Sequence, residues 1–264
     1  MYDFSYCKPA SLEDALTMLS KDDDFKLLAG GMSLIPPLKM RLARYSGLID
    51  LGAIEALKGI RKEGNSIVIG AMTTHAEVAA SDVVKKAIPA LVILAGGIGD
   101  PLVRNRGTIG GSIANADPSA DYPAGLVALG ATIHTNKRAI TADKFFTGMF
   151  ETALNLGEII TAVSFPIPEV ASYCKLWQPA SRLALVGVFV AKTAHGVRVA
   201  VTGAAPSVFR FKEAEVALEK NFIPSSLDGI TLRQDGLNTD IHASAEYREC
   251  CVLIMTKRSV AKAR

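Results

Sequence analysis

Apolar positions along the chain alternate between runs with a helical period of about 3.6 and runs with a strand period of 2, which predicts mixed helix and strand. Residues 4–6 read as a short aromatic strand. Ser11, followed by Asp14 three residues on, caps a helix over 11–20 in which Leu12, Ala15, Leu16 and Leu19 share one face. Residues 25–29 form an apolar strand that runs into Gly30-Gly31-Met32-Ser33, and 48–51 and 66–70 read as further strands. Thr74 with Glu77, and then Ser81, mark two more helix starts, while Pro89 must begin a new helix or kink the old one. The stretch from Gly96-Gly97-Ile98-Gly99 to Asp121 is rich in glycine and polar residues and reads as too bent for core. Alternation resumes over 126–135, 158–165, 172–177, 184–191 and 197–202, predicting antiparallel strands, and two helices at 211–220 and 243–263 close the chain. The fold class is α/β in the broad sense, shading into α+β, and Pro166-Ile167-Pro168-Glu169 is the boundary between two units.

Composition narrows the class. With 264 residues, 49% hydrophobic and 21% charged, the chain is long enough for two packed units and too apolar to be disordered. Its net charge of +3 carries no nucleic-acid footprint, since basic residues cluster only in the 257–264 stretch, read as a solvated helix end. The longest uncharged apolar runs, 88–98 and 183–191, fall short of the about 20 residues that cross a bilayer. The N-terminus lacks the basic and apolar regions of a secretory signal, so a cytoplasmic protein is expected. Cys7, Cys174, Cys250 and Cys251 show no metal or cluster spacing and read as buried thiols; His75, His134, His195 and His242 are equally scattered.

Two glycine turns, Gly30-Gly31 and Gly110-Gly111, each follow a short apolar segment and each precede a hydroxyl residue, Ser33 or Ser112. Glycine lets successive backbone N–H groups converge on one anion, and two such nests would suit a pyrophosphate. Neither turn matches the dinucleotide fingerprint or the P-loop, and taken alone the pair is equally compatible with two unrelated tight turns.

A longer set of motifs decides between these readings. Ala29-Gly30-Gly31-Met32-Ser33-Leu34-Ile35-Pro36 with Leu38-Lys39-Met40-Arg41, then Arg104-Asn105-Arg106-Gly107-Thr108-Ile109-Gly110-Gly111 and Ala116-Asp117-Pro118-Ser119-Ala120-Asp121, resemble the FAD-binding medium subunit of molybdenum hydroxylases, the family of carbon monoxide and xanthine dehydrogenases. Ile69-Gly70-Ala71-Met72-Thr73-Thr74, Glu158-Ile159-Ile160 and Asp240-Ile241-His242-Ala243-Ser244 extend the resemblance over nearly the whole chain.

The resemblance implies a PCMH-type FAD-binding domain over 1–166, in two subdomains of about 1–53 and 54–166, and a smaller C-terminal α/β domain of the carbon monoxide dehydrogenase flavoprotein type over 167–264. It implies that Ala29, Gly30, Gly31, Met32, Ser33 and Leu34, with Thr108, Ile109, Gly110, Gly111, Ser112 and Ala116, line the diphosphate and ribityl chain through backbone donors. Asp121 would be a polar contact, and Ile160 and Lys175 would border the isoalloxazine ring. Met32 stands where the family often has a polar or small residue, and Ser112 where it commonly has Asn. The implied function is electron transfer: FAD here, iron–sulfur clusters on a small subunit and a molybdenum cofactor on a large one, assembled as a dimer of heterotrimers that delivers electrons to an external acceptor. No catalytic residue and no metal site is expected in this chain. The alternative is a self-sufficient FAD-dependent oxidoreductase acting directly on a small molecule, which would need a substrate pocket with an acid. On the two-nest reading, Gly30→Val or Gly110→Val abolishes FAD retention and leaves the chain folded.

Overall fold

The computed structural model of the protein describes residues 1–263. In its first part β1 (Ser5–Cys7), β2 (Phe25–Leu28) and β3 (Gly47–Asp50) form a parallel sheet in the order β1-β3-β2. Parallel neighbours cannot be joined by a hairpin, so each connection crosses over. One crossover is α1 (Leu12–Leu19), capped by the Ser11 hydroxyl, which accepts from the N–H of Asp14 at 3.1 Å. The other holds α2 (Ile35–Lys39), with Pro36 and Pro37 in its first turn.

The second part is built on an antiparallel sheet. Its strands are β4 (Ile60–Glu63), β5 (Ser66–Gly70), β6 (Thr132–Thr135), β7 (Ala139–Thr141) and, reached after a small hairpin, β10 (Ile160–Pro166), in the order β4-β5-β10-β6-β7. The hairpin is β8 (Phe146–Gly148) and β9 (Glu151–Thr152), preceded by α9 (Ala142–Phe145). Between β5 and β6 run α3 (His75–Ala80), α4 (Asp82–Ala87), α5 (Pro89–Gly96), α6 (Pro101–Arg106), α7 (Ile109–Asn115) and α8 (Tyr122–Leu129). Thr74 and Glu77 close a reciprocal capping box on α3, Ser81 caps α4, and Pro89 occupies the first turn of α5.

The chain leaves this sheet at Pro166 and enters a four-stranded antiparallel one at Val170, with β11 (Val170–Trp177), β12 (Ala184–Thr193), β13 (Gly196–Thr202) and β14 (Phe209–Arg210) in sequential order. One face, with Tyr173, Phe189, Ala191 and Ala200, joins the core that contains α5 and α8. The other, with Val186, Val188, Val190, Val199 and Val201, packs on α10 (Lys212–Lys220) and α11 (Ala245–Lys262). Covering on both faces makes β12 nearly continuously apolar, with little polar alternation left along it.

Four expectations change. Residues 126–129 belong to α8, not to a strand; every residue of that helix is buried, so it carries no polar stripe from which a 3.6 period could be read. The 104–121 stretch contributes core after all, because α7 buries Ile109 and Ile113 completely. The thiols are not uniformly buried: adjacent helix positions face different ways, leaving Cys251 inside and Cys250 exposed. The end of α11 is not a merely solvated tail, since Ser259 and Val260 are buried and the Ser259 hydroxyl donates to the Ser172 carbonyl at 2.9 Å. Arg264, the last residue of the basic stretch, lies outside the described residues.

Candidate functional site

The fold brings the two glycine turns into contact. A Cβ on Gly30 would lie 2.0 Å from the carbonyl oxygen of Arg106 and 2.7 Å from Cα of Gly107, and one on Gly111 would lie 3.3 Å from Cβ of Ala29. The bare backbone at Gly30 is therefore what lets the end of β2 touch the end of α6. Gly31 follows with φ +74°, a left-handed conformation that side-chain-bearing residues rarely adopt. Its carbonyl accepts from the N–H of Ile35 at 2.9 Å. Among the described residues, the N–H groups of Gly31, Met32, Ser33 and Leu34 have no protein acceptor. Successive unengaged N–H groups after a left-handed glycine have the donor set of an anion-binding nest. Met32 and Ser33 are exposed there, and Ala29 and Leu34 half-buried.

The second turn is organised differently. Thr108 caps α7, its hydroxyl accepting from the N–H of Gly111 at 3.1 Å and its carbonyl from that of Ser112 at 3.0 Å. The N–H of Ile109 goes to the Thr73 carbonyl at 3.1 Å and that of Gly110 to the Ala71 carbonyl at 2.8 Å. A Cβ on Gly110 would meet both Cβ and the carbonyl oxygen of Ala71 at 2.7 Å. These glycines serve close packing on the β5–α3 connection, and the four N–H groups after Thr108 are already engaged. Two equivalent nests are thus not what the structure holds, and valine at Gly30 or Gly110 would strike backbone before it reached any ligand. Ala116 ends α7 at φ 46° and ψ 41°, and its carbonyl accepts from Phe150, itself at φ 55°.

A third group lies where α8 meets the C-terminal sheet. The Asp117 carboxylate accepts from the N–H of Ser119 at 2.8 Å and so shapes its own turn. The Thr202 hydroxyl donates to the carbonyls of Pro118 at 3.0 Å and Ala120 at 2.7 Å, fastening that turn to β13. Asp121, which follows, makes a 2.8 Å ion pair with Lys175 of β11, with side chains only 2% and 7% exposed. Lys175 also donates to the carbonyls of Gly97 at 2.8 Å and Arg182 at 3.0 Å, so its three N–H donors are all engaged. Burial pushes the Asp121 carboxyl up from the usual range, with Lys175 opposing. Ile160 is buried at the start of β10, next to Thr161, whose carbonyl accepts from the N–H of Ala71 beneath Gly110.

Two residues that sequence reasoning leaves aside stand behind the second turn. His75 is 4% exposed and donates its N–H to the Gly107 carbonyl at 3.0 Å, while its ring stands 5.4 Å from that of Tyr122. Its Nδ1 and the Tyr122 hydroxyl have no partner among the described residues, and burial, followed by the nearby Arg104 charge, lowers the imidazole pKa to about 4. No spacing motif marks His75; its position right after the Thr74 cap is the one available clue.

Residues 2–168 match the family described as the FAD binding domain in molybdopterin dehydrogenase. The chain is 36% identical to the nicotine 6-hydroxylase medium subunit of Paenarthrobacter nicotinovorans, covering 98% of this chain and 96% of that one. It is 34% identical to the carbon monoxide dehydrogenase medium chain of Hydrogenophaga pseudoflava, over 97% and 96% respectively. Among solved structures, reconstituted CO dehydrogenase from Oligotropha carboxidovorans superposes with a TM-score of 0.91 at 33% identity, covering 99% of this chain and 97% of that one. Quinoline 2-oxidoreductase from Pseudomonas putida 86 gives 0.89 at 30% identity, over 99% and 96%. On this agreement of sequence and fold over essentially its whole length, the chain belongs to the FAD-binding medium subunits of the molybdenum hydroxylases.

Proposed function

We propose that this chain is the electron-transfer subunit of a cytoplasmic heterotrimeric molybdenum hydroxylase, taking electrons from [2Fe-2S] clusters on a small partner subunit and passing them to an external acceptor. Substrate oxidation falls to a molybdopterin-bearing large subunit, and two heterotrimers pair. The medium-subunit names of the relatives support this division of labour, and no helix among the described residues is long and apolar enough to cross a membrane. The change of sheet between Pro166 and Val170 supports a division into a FAD-binding domain over 1–166 and a C-terminal domain from 167 onward.

The observation that carries the reading is the run of unengaged N–H groups at Gly31, Met32, Ser33 and Leu34. A flavin dinucleotide fits that donor set, because a diphosphate needs several convergent N–H groups and no side chain in the way. Once bound, FAD supplies the redox chemistry and the protein supplies placement and charge. The 29–34 turn holds the diphosphate by its backbone. Thr108, Ile109, Gly110, Gly111, Ser112 and Ala116 form the wall against which that turn is pressed and line the cofactor beside it. Asp121, Ile160 and Lys175 border the ring end, where Lys175, with its donors engaged, acts by charge rather than by a hydrogen bond.

The test is the visible spectrum of this chain co-expressed with its neighbouring subunits, with chromatographic identification of the cofactor released by acid. Stoichiometric FAD, bleached by substrate only when the partners are present, is the expected result. Bleaching of the isolated chain would transfer the assignment to a self-sufficient oxidoreductase, and protein without flavin would overturn both.

A further inference from the structure

Tyr173 precedes Lys175 by two residues on β11, so both side chains leave the strand on the same face. The Tyr173 side chain is buried, and its hydroxyl donates to Oδ1 of Asp121 at 2.5 Å, the same oxygen that Lys175 contacts at 2.8 Å. Room for that hydroxyl is left on the neighbouring strand. Gly187, whose register partner is Lys175, would with a Cβ stand 2.4 Å from the Tyr173 hydroxyl oxygen and 2.9 Å from Cγ2 of Thr202. The glycine lies deep inside β12, where a residue without a side chain weakens a strand, and close approach of another group is the usual reason for one.

We propose that Tyr173, seated in the notch at Gly187, is a positioning residue of the flavin site: it keeps Asp121 ionised and paired, and so fixes the charge that Lys175 presents to the cofactor. This rests on the reading above that Asp121 and Lys175 border FAD. The groups facing the Asp121 carboxylate are Tyr173 and Lys175 from β11 and Tyr122 from its own helix; Cys174 lies on the opposite face of β11. Tyr173 is a permanent donor and not a proton source, because burial and the neighbouring carboxylate hold its phenol well above the ordinary value. Burial favours the neutral form of Asp121, and Lys175 and the Tyr173 hydroxyl favour the charged one. Without the hydroxyl the carboxyl takes a proton at higher pH, and each protonated Asp121 leaves Lys175 an unbalanced cation. A cation beside the ring stabilises the reduced anion, so the midpoint potential rises as that proton is taken up.

The experiment follows the FAD midpoint potential of the co-expressed complex with pH, from the alkaline to the acid limit at which the complex stays folded, because burial raises the Asp121 carboxyl. Tyr173→Phe is expected to match the wild type at the alkaline end and to become progressively more positive toward the acid end. Gly187→Ala, which keeps the phenol but displaces it, is expected to bend the curve in the same way. Thermal unfolding supplies a readout independent of flavin. Gly187→Ala should lower Tm more when made in the wild-type chain than when combined with Tyr173→Phe, where the hydroxyl that would clash is gone, and additive effects would refute the notch. Flavin present in every variant with superimposed potential curves overturns the proposal alone, whereas a wild-type complex without flavin overturns the functional reading and this proposal with it.

Discussion

The two glycine turns look alike in sequence and do opposite things in the fold. At 30–34 one glycine allows contact with the Arg106 carbonyl, the next takes φ +74°, and the N–H groups that follow are unengaged. At 108–112 every N–H after the cap is engaged with Thr73, Ala71 or Thr108, and Gly110 serves as a packing surface for Ala71. A pair of glycines before a hydroxyl residue is therefore not a ligand signature by itself. What separates a cradle from a buttress is where the N–H groups go, and that depends on segments distant in sequence.

The comparison breaks most visibly at its packing contacts. Gly110→Val is expected to cost at least about 3 kcal/mol of stability or prevent folding, because neither the Ala71 carbonyl nor its Cβ, both 2.7 Å from the added atom, can move without shifting β5. Gly30→Val should do the same against the Arg106 carbonyl at 2.0 Å. Urea unfolding of soluble variants, with and without flavin, reads this; a normal midpoint in either would remove the packing account of that glycine.

Acid tests the buttress from behind. His75 has a pKa lowered from 6.5 to about 4, so the folded state needs it neutral. The unfolded chain binds this proton first, and stability is full above about pH 6.5 and lost as pH falls toward 4, by an amount on the order of 3 kcal/mol. His75→Leu is expected to flatten the unfolding midpoint across that window, while flavin affinity near neutral pH stays unchanged. An equally steep acid slope in the variant would assign the lability to other groups.

Much of this molecule is legible in its sequence where the signal is local. The Ser11, Thr74 and Ser81 caps and the strands β11, β12 and β13 follow from spacing alone, because each involves neighbours within a few residues; at Pro89 spacing leaves a new helix and a kink both open, and the two-residue β14 leaves no periodic signal. The α8 helix does not follow from spacing, since its apolar residues cover every side and the period vanishes. The candidate site divides in the same way. Motif order indicates the 29–34 turn, Asp121 and Lys175, but not that Lys175 has all its donors engaged by Gly97, Arg182 and Asp121, which lie in separate segments. Tyr173 and Gly187 are invisible for the same reason: their contact exists only through the β11–β12 register.

The cradle itself is probed by smaller changes. Gly31→Ala forces a left-handed φ of +74° on a residue with a Cβ, at a cost of about 1–2 kcal/mol, and the added atom meets only the side chains of Ile35 and Leu28, at 2.9 and 3.1 Å. Those side chains can yield, so the chain should still fold while the turn rotates its N–H groups; FAD affinity is expected to fall about tenfold or more in fluorescence titration, with a loss in Tm that stays modest. Ser33→Ala is the complementary change. It removes an exposed hydroxyl and leaves every backbone donor in place. If the 30–34 turn binds through its backbone, affinity should drop by less than about 1 kcal/mol, the net value of one ordinary hydrogen bond. A loss as large as that of Gly31→Ala would mean that the hydroxyl, and not the line of N–H groups, holds the diphosphate, and the contrast between the two turns would then lie in Ser33 and Ser112 rather than in their backbones.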